Sequence, residues 1–65
     1  MKNNIKKLRK EVGLRQEDLA EKLGVTRQTI IAIENDKYDP TLSLAFNLAT
    51  FLGTTVDALF SPIND

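Results

Sequence analysis

The chain has 65 residues, 42% of them hydrophobic, so it can form one domain around a single small core. It contains no cysteine and no histidine, which excludes disulfides and thiolate metal sites and removes the commonest general base. No apolar run approaches the roughly 18 residues of a membrane span, and no signal-peptide pattern opens the chain. We therefore expect a cytoplasmic protein with no membrane segment, no cofactor and no small-molecule ligand.

Basic and acidic residues are unevenly distributed, although the formal net charge is zero. All nine Lys and Arg lie between Lys2 and Lys37 together with six of the nine acids, so residues 1–38 carry a charge of +3. Residues 39–65 carry −3, from Asp39, Asp57 and Asp65. A neutral chain with this asymmetry can present a basic face to nucleic acid, although an ordinary solubilising surface explains the charges equally well.

Apolar residues at helical spacing predict a first helix over residues 4–12. Ile5, Leu8 and Val12 recur at i, i+3 and i+7, and Gly13 follows as a helix end.

The segment from Gln16 to Asn35 predicts two short helices joined by a tight turn. Gly24 suits a left-handed end of the first of these helices, and the hydroxyl of Thr26 is placed to cap the second. Ala20 is small where the two axes would approach closely. Apolar residues line the facing sides of the pair, namely Leu19, Ala20, Leu23, Ile30 and Ile33.

The C-terminal half predicts two more helices. Residues 35–40 form a loop, since Asn, Asp and Pro are turn formers. Thr41 caps a fourth helix that runs to about Leu52, and Thr55 caps a short fifth helix through Phe60. No strand pattern is evident before Phe60, so the expected fold class is all-α with five short helices.

The fourth helix is unusual because no charged residue lies between Pro40 and Val56. A helix that is apolar nearly all round should be buried all round, which a domain of this size cannot achieve. It is either a core helix with a few exposed apolar residues or part of a subunit interface. The expected interface residues are Phe46, Phe51, Phe60 and Ile63, and the last two are favoured.

Three blocks in this order resemble the Cro and phage-repressor-like (xenobiotic-response-element, XRE) family of helix-turn-helix regulators. They read GLRQEDLA at residues 13–20, LGVTRQTI at 23–30 and IENDKYDP at 33–40. The resemblance runs from about residue 5 to residue 60. It implies one lambda-repressor-like DNA-binding domain over residues 1–65, with the helix-turn-helix formed by helices 2 and 3.

The resemblance places the recognition helix, about residues 27–35, in the major groove of double-stranded DNA. It puts four residues on the groove side as base contacts, namely Arg27, Gln28, Ile31 and Ala32. Their chemistry agrees, because Arg can donate two hydrogen bonds to guanine, Gln can pair with adenine, and apolar side chains can contact a thymine methyl. The alternative for the two polar residues is a solvated helix start.

Phosphate contacts are implied at both ends of the motif, at Gln16, Thr26, Thr29, Asn35 and Lys37. The hydroxyl of Tyr38 could make a further phosphate contact, and a packing role for Tyr38 is equally open.

Two residues depart from the family pattern. Arg15 replaces a Ser or Thr, which loses a side-chain cap but brings a cation near the phosphate path. Asp36 replaces a glycine. Asp tolerates a left-handed conformation better than most residues, but its charge weakens the local attraction to phosphate.

Arg9 and Glu34 match a pair that joins the first helix to the end of the recognition helix in relatives, so we expect a scaffold ion pair.

The expected function is a dimeric transcriptional regulator, a repressor from a bacterium or a phage, that binds an inverted-repeat operator. The alternative is an antitoxin-like protein whose main partner is another protein bound through the apolar C-terminal half. An enzyme has little support without His or Cys.

Overall fold

The computed structural model describes residues 1–61, and side chains are described through Phe60. Within them the chain forms five helices, α1 (Ile5–Glu11), α2 (Gln16–Leu23), α3 (Arg27–Glu34), α4 (Leu42–Phe51) and α5 (Val56–Leu59), and two short strands, β1 (Lys2–Asn3) and β2 (Phe60–Ser61). The expected five-helix, all-α class is confirmed. No helix in the described part of the chain is long and apolar enough to cross a bilayer.

The two strands are a feature that sequence reasoning missed. β1 and β2 pair antiparallel, with Lys2 opposite Ser61 and Asn3 opposite Phe60. The next residue continues the connection, because the Asn4 N–H donates to the Leu59 carbonyl at 2.9 Å. Strands of two residues are too short to show an alternating pattern. Because Phe60 belongs to β2, the fifth helix ends at Leu59, one residue earlier than predicted.

Three threonine caps begin helices as predicted. The hydroxyls of Thr26, Thr41 and Thr55 each accept a hydrogen bond from the backbone N–H three residues on, at 3.2, 3.2 and 3.3 Å. Each cap satisfies an N–H that has no partner within the helix and so fixes where α3, α4 and α5 begin.

Helices α1 to α4 end in the same way. In each, one residue lies in the left-handed region, and the next N–H donates back to a carbonyl five residues earlier, as in a Schellman motif. The left-handed residues are Gly13, Gly24, Asp36 and Gly53, with φ of 77°, 69°, 60° and 68°. All three glycines of the chain stand at these ends.

One hydrophobic core connects the five helices. It comprises Ile5, Leu19, Ala20, Ile30, Ile33, Ala45, Leu48, Ala49, Leu52, Leu59 and Phe60. Of the apolar residues predicted to line the first three helices, Ile5, Leu19, Ala20, Ile30 and Ile33 belong to this cluster, and Leu8 and Leu23 pack against it while remaining partly buried. Val12, which shares the spacing of Ile5 and Leu8, is instead 51% exposed. Helix α4 contributes three buried residues to this core, Ala45, Leu48 and Ala49.

Part of the remaining surface of α4 is apolar and open to solvent. Leu42, Phe46 and Phe51 are 68%, 56% and 47% exposed. Phe60, by contrast, is only 7% exposed, because its strand pairs with β1 and its ring joins the core. Phe60 therefore offers little exposed surface to a second subunit, and its place at the interface stays a prediction. Ile63 lies outside the described residues.

Candidate nucleic-acid interface

Helices α2 and α3 pack against each other through their apolar sides. Leu19 and Ala20 of α2 lie in the same buried cluster as Ile30 and Ile33 of α3. Gly24 turns the chain between them in the left-handed conformation. Because the inner side of α3 is occupied by the core, the other side of this helix is left to face outward.

The outward side begins with a polar first turn. Thr26, Arg27 and Gln28 are exposed, whereas Thr29, Ile31 and Ala32 are half-buried. The hydroxyls of Thr26 and Thr29 lie 3.0 Å apart and share a hydrogen bond. The two long side chains that could read base edges therefore project from a helix start that is fixed by its cap.

A buried ion pair between Arg9 and Glu34 joins α1 to the end of α3. Arg9 donates to the Glu34 carboxylate through Nε at 2.7 Å and through Nη2 at 3.2 Å, and its Nη1 donates to the Leu14 carbonyl at 3.0 Å. The side chains of Arg9 and Glu34 are 8% and 2% exposed. Glu34 is thus withdrawn from the outward side, where its charge would repel phosphate.

Gln16 takes part in the same cluster, which sequence reasoning did not foresee. Its Nε2 donates to Glu34 Oε1 at 3.1 Å. An amide nitrogen carries two hydrogens, so this bond leaves one for another acceptor. The orientation of Gln16 at the start of α2 is consequently set by the end of α3.

The start of α2 is held by Asp18 rather than by a cap from Arg15. The Asp18 carboxylate accepts from the Arg15 backbone N–H at 2.9 Å and from Arg15 Nε at 3.2 Å. These hydrogen bonds, the backbone one first, lower the pKa of Asp18. The Arg15 guanidinium also lies 3.1 Å from Glu17, and its side chain is 74% exposed.

A polar cavity of about 470 Å³ lies where the starts of α2 and α3 meet. Three arginines line it together with two residues of the first turn of α2, namely Arg9, Arg15, Arg27, Gln16 and Glu17. These three arginines were expected to have three different roles, and nothing in the sequence placed them around one cavity. Their approach depends on the crossing of α1, α2 and α3.

The loop after α3 presents three further predicted contact residues. Asn35, Lys37 and Tyr38 are all exposed, Tyr38 at 47%. The structure therefore brings the predicted polar contact residues to the starts of α2 and α3 and to the loop that follows α3.

Two helices at a glycine turn, the second with an exposed polar start, define a helix-turn-helix DNA-binding domain. A family model described as helix-turn-helix matches residues 5–59. The chain belongs to this family, in its Cro and phage-repressor-like (XRE) branch.

Relatives come from archaea, bacteria and a bacteriophage. The chain is 58% identical over 60 residues to an HTH-type transcriptional regulator of Methanocaldococcus jannaschii, covering 92% of this chain and 91% of the relative. It is 44% identical over 55 residues to the immunity repressor protein of Bacillus phage phi105, covering 85% of this chain and 38% of the repressor.

Solved structures share the fold. The restriction-modification controller protein C.AhdI from Aeromonas hydrophila is 32% identical with a TM-score of 0.77, covering 86% of this chain and 85% of that one. A structure of the SinR protein in complex with the SinI protein is 30% identical with a TM-score of 0.79, and the match covers 89% of this chain and 57% of that one. The hydroxypropylphosphonic acid epoxidase of S. wedmorenis is 34% identical with a TM-score of 0.80, but the chain spans only 32% of its length.

Proposed function

We propose that this protein is a transcriptional repressor that binds a specific double-stranded DNA sequence with α3 in the major groove. The observation that carries this proposal is the exposed first turn of α3, with Arg27 and Gln28 projecting from a capped helix whose opposite side is buried. Its function is binding rather than catalysis.

Residues on the outward side of α3 contact the base edges in this proposal. Arg27 can donate two hydrogen bonds to O6 and N7 of guanine, and Gln28 can both donate to and accept from adenine. Ile31 and Ala32 are half-buried and apolar, so a thymine methyl is the base group that suits them.

Phosphate contacts flank the readout residues on both sides. The cavity at the starts of α2 and α3 is rimmed by arginines and by the N-terminus of α2, which suits an anion. The carboxylates of Glu17 and Asp18 partly offset the charge of Arg15 there, and Glu34 is paired with Arg9. The proposed phosphate contacts are Arg15, Gln16, Thr26, Thr29, Asn35, Lys37 and Tyr38.

A comparison of specific with random DNA tests the readout. A specific site is first selected from a random DNA pool. Arg27→Ala or Gln28→Ala should then cost about 1–3 kcal/mol on this site and much less on random DNA. Lys37→Ala should weaken binding to both and flatten the salt dependence. Lys6→Ala, which removes the same charge from α1 outside the motif, is the matched control.

Equal losses on specific and random DNA for Arg27→Ala would reassign Arg27 to the phosphates. If none of these variants differed from wild type on either DNA, the proposed function would be wrong.

The protein acts as a two-fold dimer in this proposal. One motif reads only a few base pairs, which is too little to find a site among a genome's competitors. Two adjoining cavities of about 710 and 240 Å³ form an apolar groove between α4, α5 and the N-terminus. Met1, Val56 and Phe60 line both cavities, and the exposed Phe46 and Leu42 line one each.

A self-complementary contact at this groove would place two recognition helices about 34 Å apart, one helical turn of DNA. The operator should then be an inverted repeat with half-sites about 10 base pairs apart, centre to centre.

Sedimentation equilibrium at micromolar concentration tests the dimer, and two phenylalanines of α4 provide a matched pair. Phe46 lines the groove, whereas Phe51, of similar exposure and also expected at the interface from the sequence, does not, so we no longer propose Phe51 as a dimer contact. Phe46→Lys should shift the protein to monomer, whereas Phe51→Lys should leave it dimeric. A wild-type protein that stays monomeric on a palindromic site would contradict the dimer.

The same groove also supports the alternative of an antitoxin-like function, in which it binds a different protein. One structural neighbour, SinR, was solved in complex with the SinI protein. A stoichiometric heterologous partner that copurifies with the wild-type chain and is lost with Phe46→Lys would favour this alternative over the homodimer.

A further inference from the structure

The end of the recognition helix contains an unusual left-handed residue. Among residues 1–61, Asp36 is the one non-glycine residue with positive φ, at 60°. The equivalent residue at the ends of α1, α2 and α4 is a glycine. A side chain in this conformation brings Cβ close to a carbonyl oxygen, so the turn at Asp36 is less favourable than its three counterparts unless other contacts hold it.

Asn3, which precedes α1, supplies such contacts. Its Nδ2 donates to the Ile33 carbonyl at 2.8 Å and to Asp36 Oδ1 at 3.2 Å. The same Ile33 carbonyl accepts the Asp36 backbone N–H at 3.1 Å. One amide group therefore engages both the side chain of the left-handed residue and the carbonyl that closes its turn.

Asn3 is itself firmly placed. It is half-buried, and it pairs with Phe60 in the two-stranded sheet. Its Oδ1 accepts from the Ile5 N–H at 3.1 Å, at the first residue of α1. These bonds orient the amide so that its nitrogen is directed to the end of α3.

The loop's second acid also has a partner in this N-terminal segment. The Met1 ammonium lies 3.1 Å from Asp39 Oδ1. Both groups are partly exposed, so this ion pair contributes little stability. It nevertheless means that Asp36 and Asp39 both face positive or hydrogen-bonding groups of residues 1–3.

We propose that Asn3 is a positioning residue for the DNA-contacting loop. It holds Asp36 in the left-handed conformation and thereby fixes the path of residues 35–38 after α3. This rests on the proposed function, in which Asn35 and Lys37 contact phosphates. Asn3 then compensates for the missing glycine at the end of the recognition helix and makes DNA binding depend on the first residues of the chain.

A double-mutant cycle tests the link between Asn3 and Asp36. Asn3→Ala should lower the melting temperature by about 4–8 °C. Asp36→Gly should raise it, because glycine adopts positive φ without cost. In the Asp36→Gly background, Asn3→Ala should lower the melting temperature by roughly half as much or less, because the strained residue no longer needs support. Asn3→Ser, which keeps an oxygen for the Ile5 N–H, replaces Asn3→Ala if that variant does not fold.

Asn4→Ala is the matched control for this cycle. The Asn4 side chain also donates to a distant backbone carbonyl, that of Ala58 at 3.2 Å, but it does not reach the loop. Its effect on melting should be the same with Asp36 and with Asp36→Gly. If the effect of Asn3→Ala is also unchanged by Asp36→Gly, the proposed positioning role is overturned.

Affinity for a random-sequence DNA duplex provides the second readout, measured by fluorescence anisotropy well below the melting temperature of every variant. Asn3→Ala should weaken binding severalfold, with a smaller loss in the Asp36→Gly background, and Asn4→Ala should not weaken it. If Lys37→Ala weakens binding but Asn3→Ala does not, the positioning role fails while the proposed function stands. If neither Lys37→Ala nor Asn35→Ala weakens binding, these residues do not contact DNA, and the positioning role fails together with the phosphate assignment.

Discussion

Replacement of Arg9 by methionine should destabilise this protein more than any surface change. The Arg9 guanidinium donates three hydrogen bonds, two to Glu34 and one to the Leu14 carbonyl. Methionine has a similar length but no donor, so Arg9→Met leaves the Glu34 carboxylate, 2% exposed, with only the Gln16 amide. Removal of one partner of a buried pair typically costs about 3–5 kcal/mol.

That cost is large relative to the whole stability of the domain. At roughly 0.05–0.15 kcal/mol per residue, a chain of this length has a free energy of unfolding of about 3–10 kcal/mol. Arg9→Met should therefore be partly unfolded at 25 °C or close to it. The loss should be smaller in Arg9→Met/Glu34→Met, because two apolar side chains replace the ion pair and no buried charge remains.

Urea unfolding followed by far-UV circular dichroism measures these differences. Arg15→Met is the matched control, because it removes an arginine from ion pairs whose side chains are exposed, so stability should change little. If Arg9→Met unfolded within about 1 kcal/mol of wild type, or if the double variant were no more stable than Arg9→Met, the buried pair would not have the proposed role.

Two further changes test the packing of α2 and its start. Ala20 is 3% exposed, so Ala20→Leu should cost about 1–3 kcal/mol by overpacking, and an unchanged melting temperature would contradict the close crossing of α2 and α3. The pKa of Asp18 is lower in the folded protein than in the unfolded chain. Its contribution to stability is therefore fully present above the unfolded-state pKa and is lost as the pH falls through the folded-state pKa. Asp18→Asn should therefore melt below wild type at pH 7 and converge with it in acid, whereas a constant difference across a pH series would contradict this origin.

Local signals in the sequence predicted most of the fold. Thr26, Thr41 and Thr55 cap helices because a hydroxyl acts within three residues, and glycines end helices because φ is a local property. Periodicity located the core for the same reason, since the residues that share a side of a helix are neighbours in sequence. These features need no knowledge of how the helices pack.

Contacts between distant residues were not predictable in this way. The pairing of Asn3 with Phe60 and its bond to Asp36 join positions far apart in sequence, and strands of two residues leave no pattern. Phe60 was therefore expected at a subunit contact and lies in the core. The Arg9–Glu34 pair was expected only through the family resemblance, and the addition of Gln16 to it depends on how α2 crosses α3.

The pairing of β1 with β2 also has a consequence for how the chain acquires its structure during synthesis. Residues 2–3 leave the ribosome before the five helices, whereas their strand partner, residues 60–61, emerges after them. Local helices can form earlier, whereas this closure joins distant positions and must wait. If Asn3 is held in place by the sheet, the loop after the recognition helix takes its final path only at that late step. A nascent chain would then have a folded helix-turn-helix before it has a fully ordered DNA-binding surface.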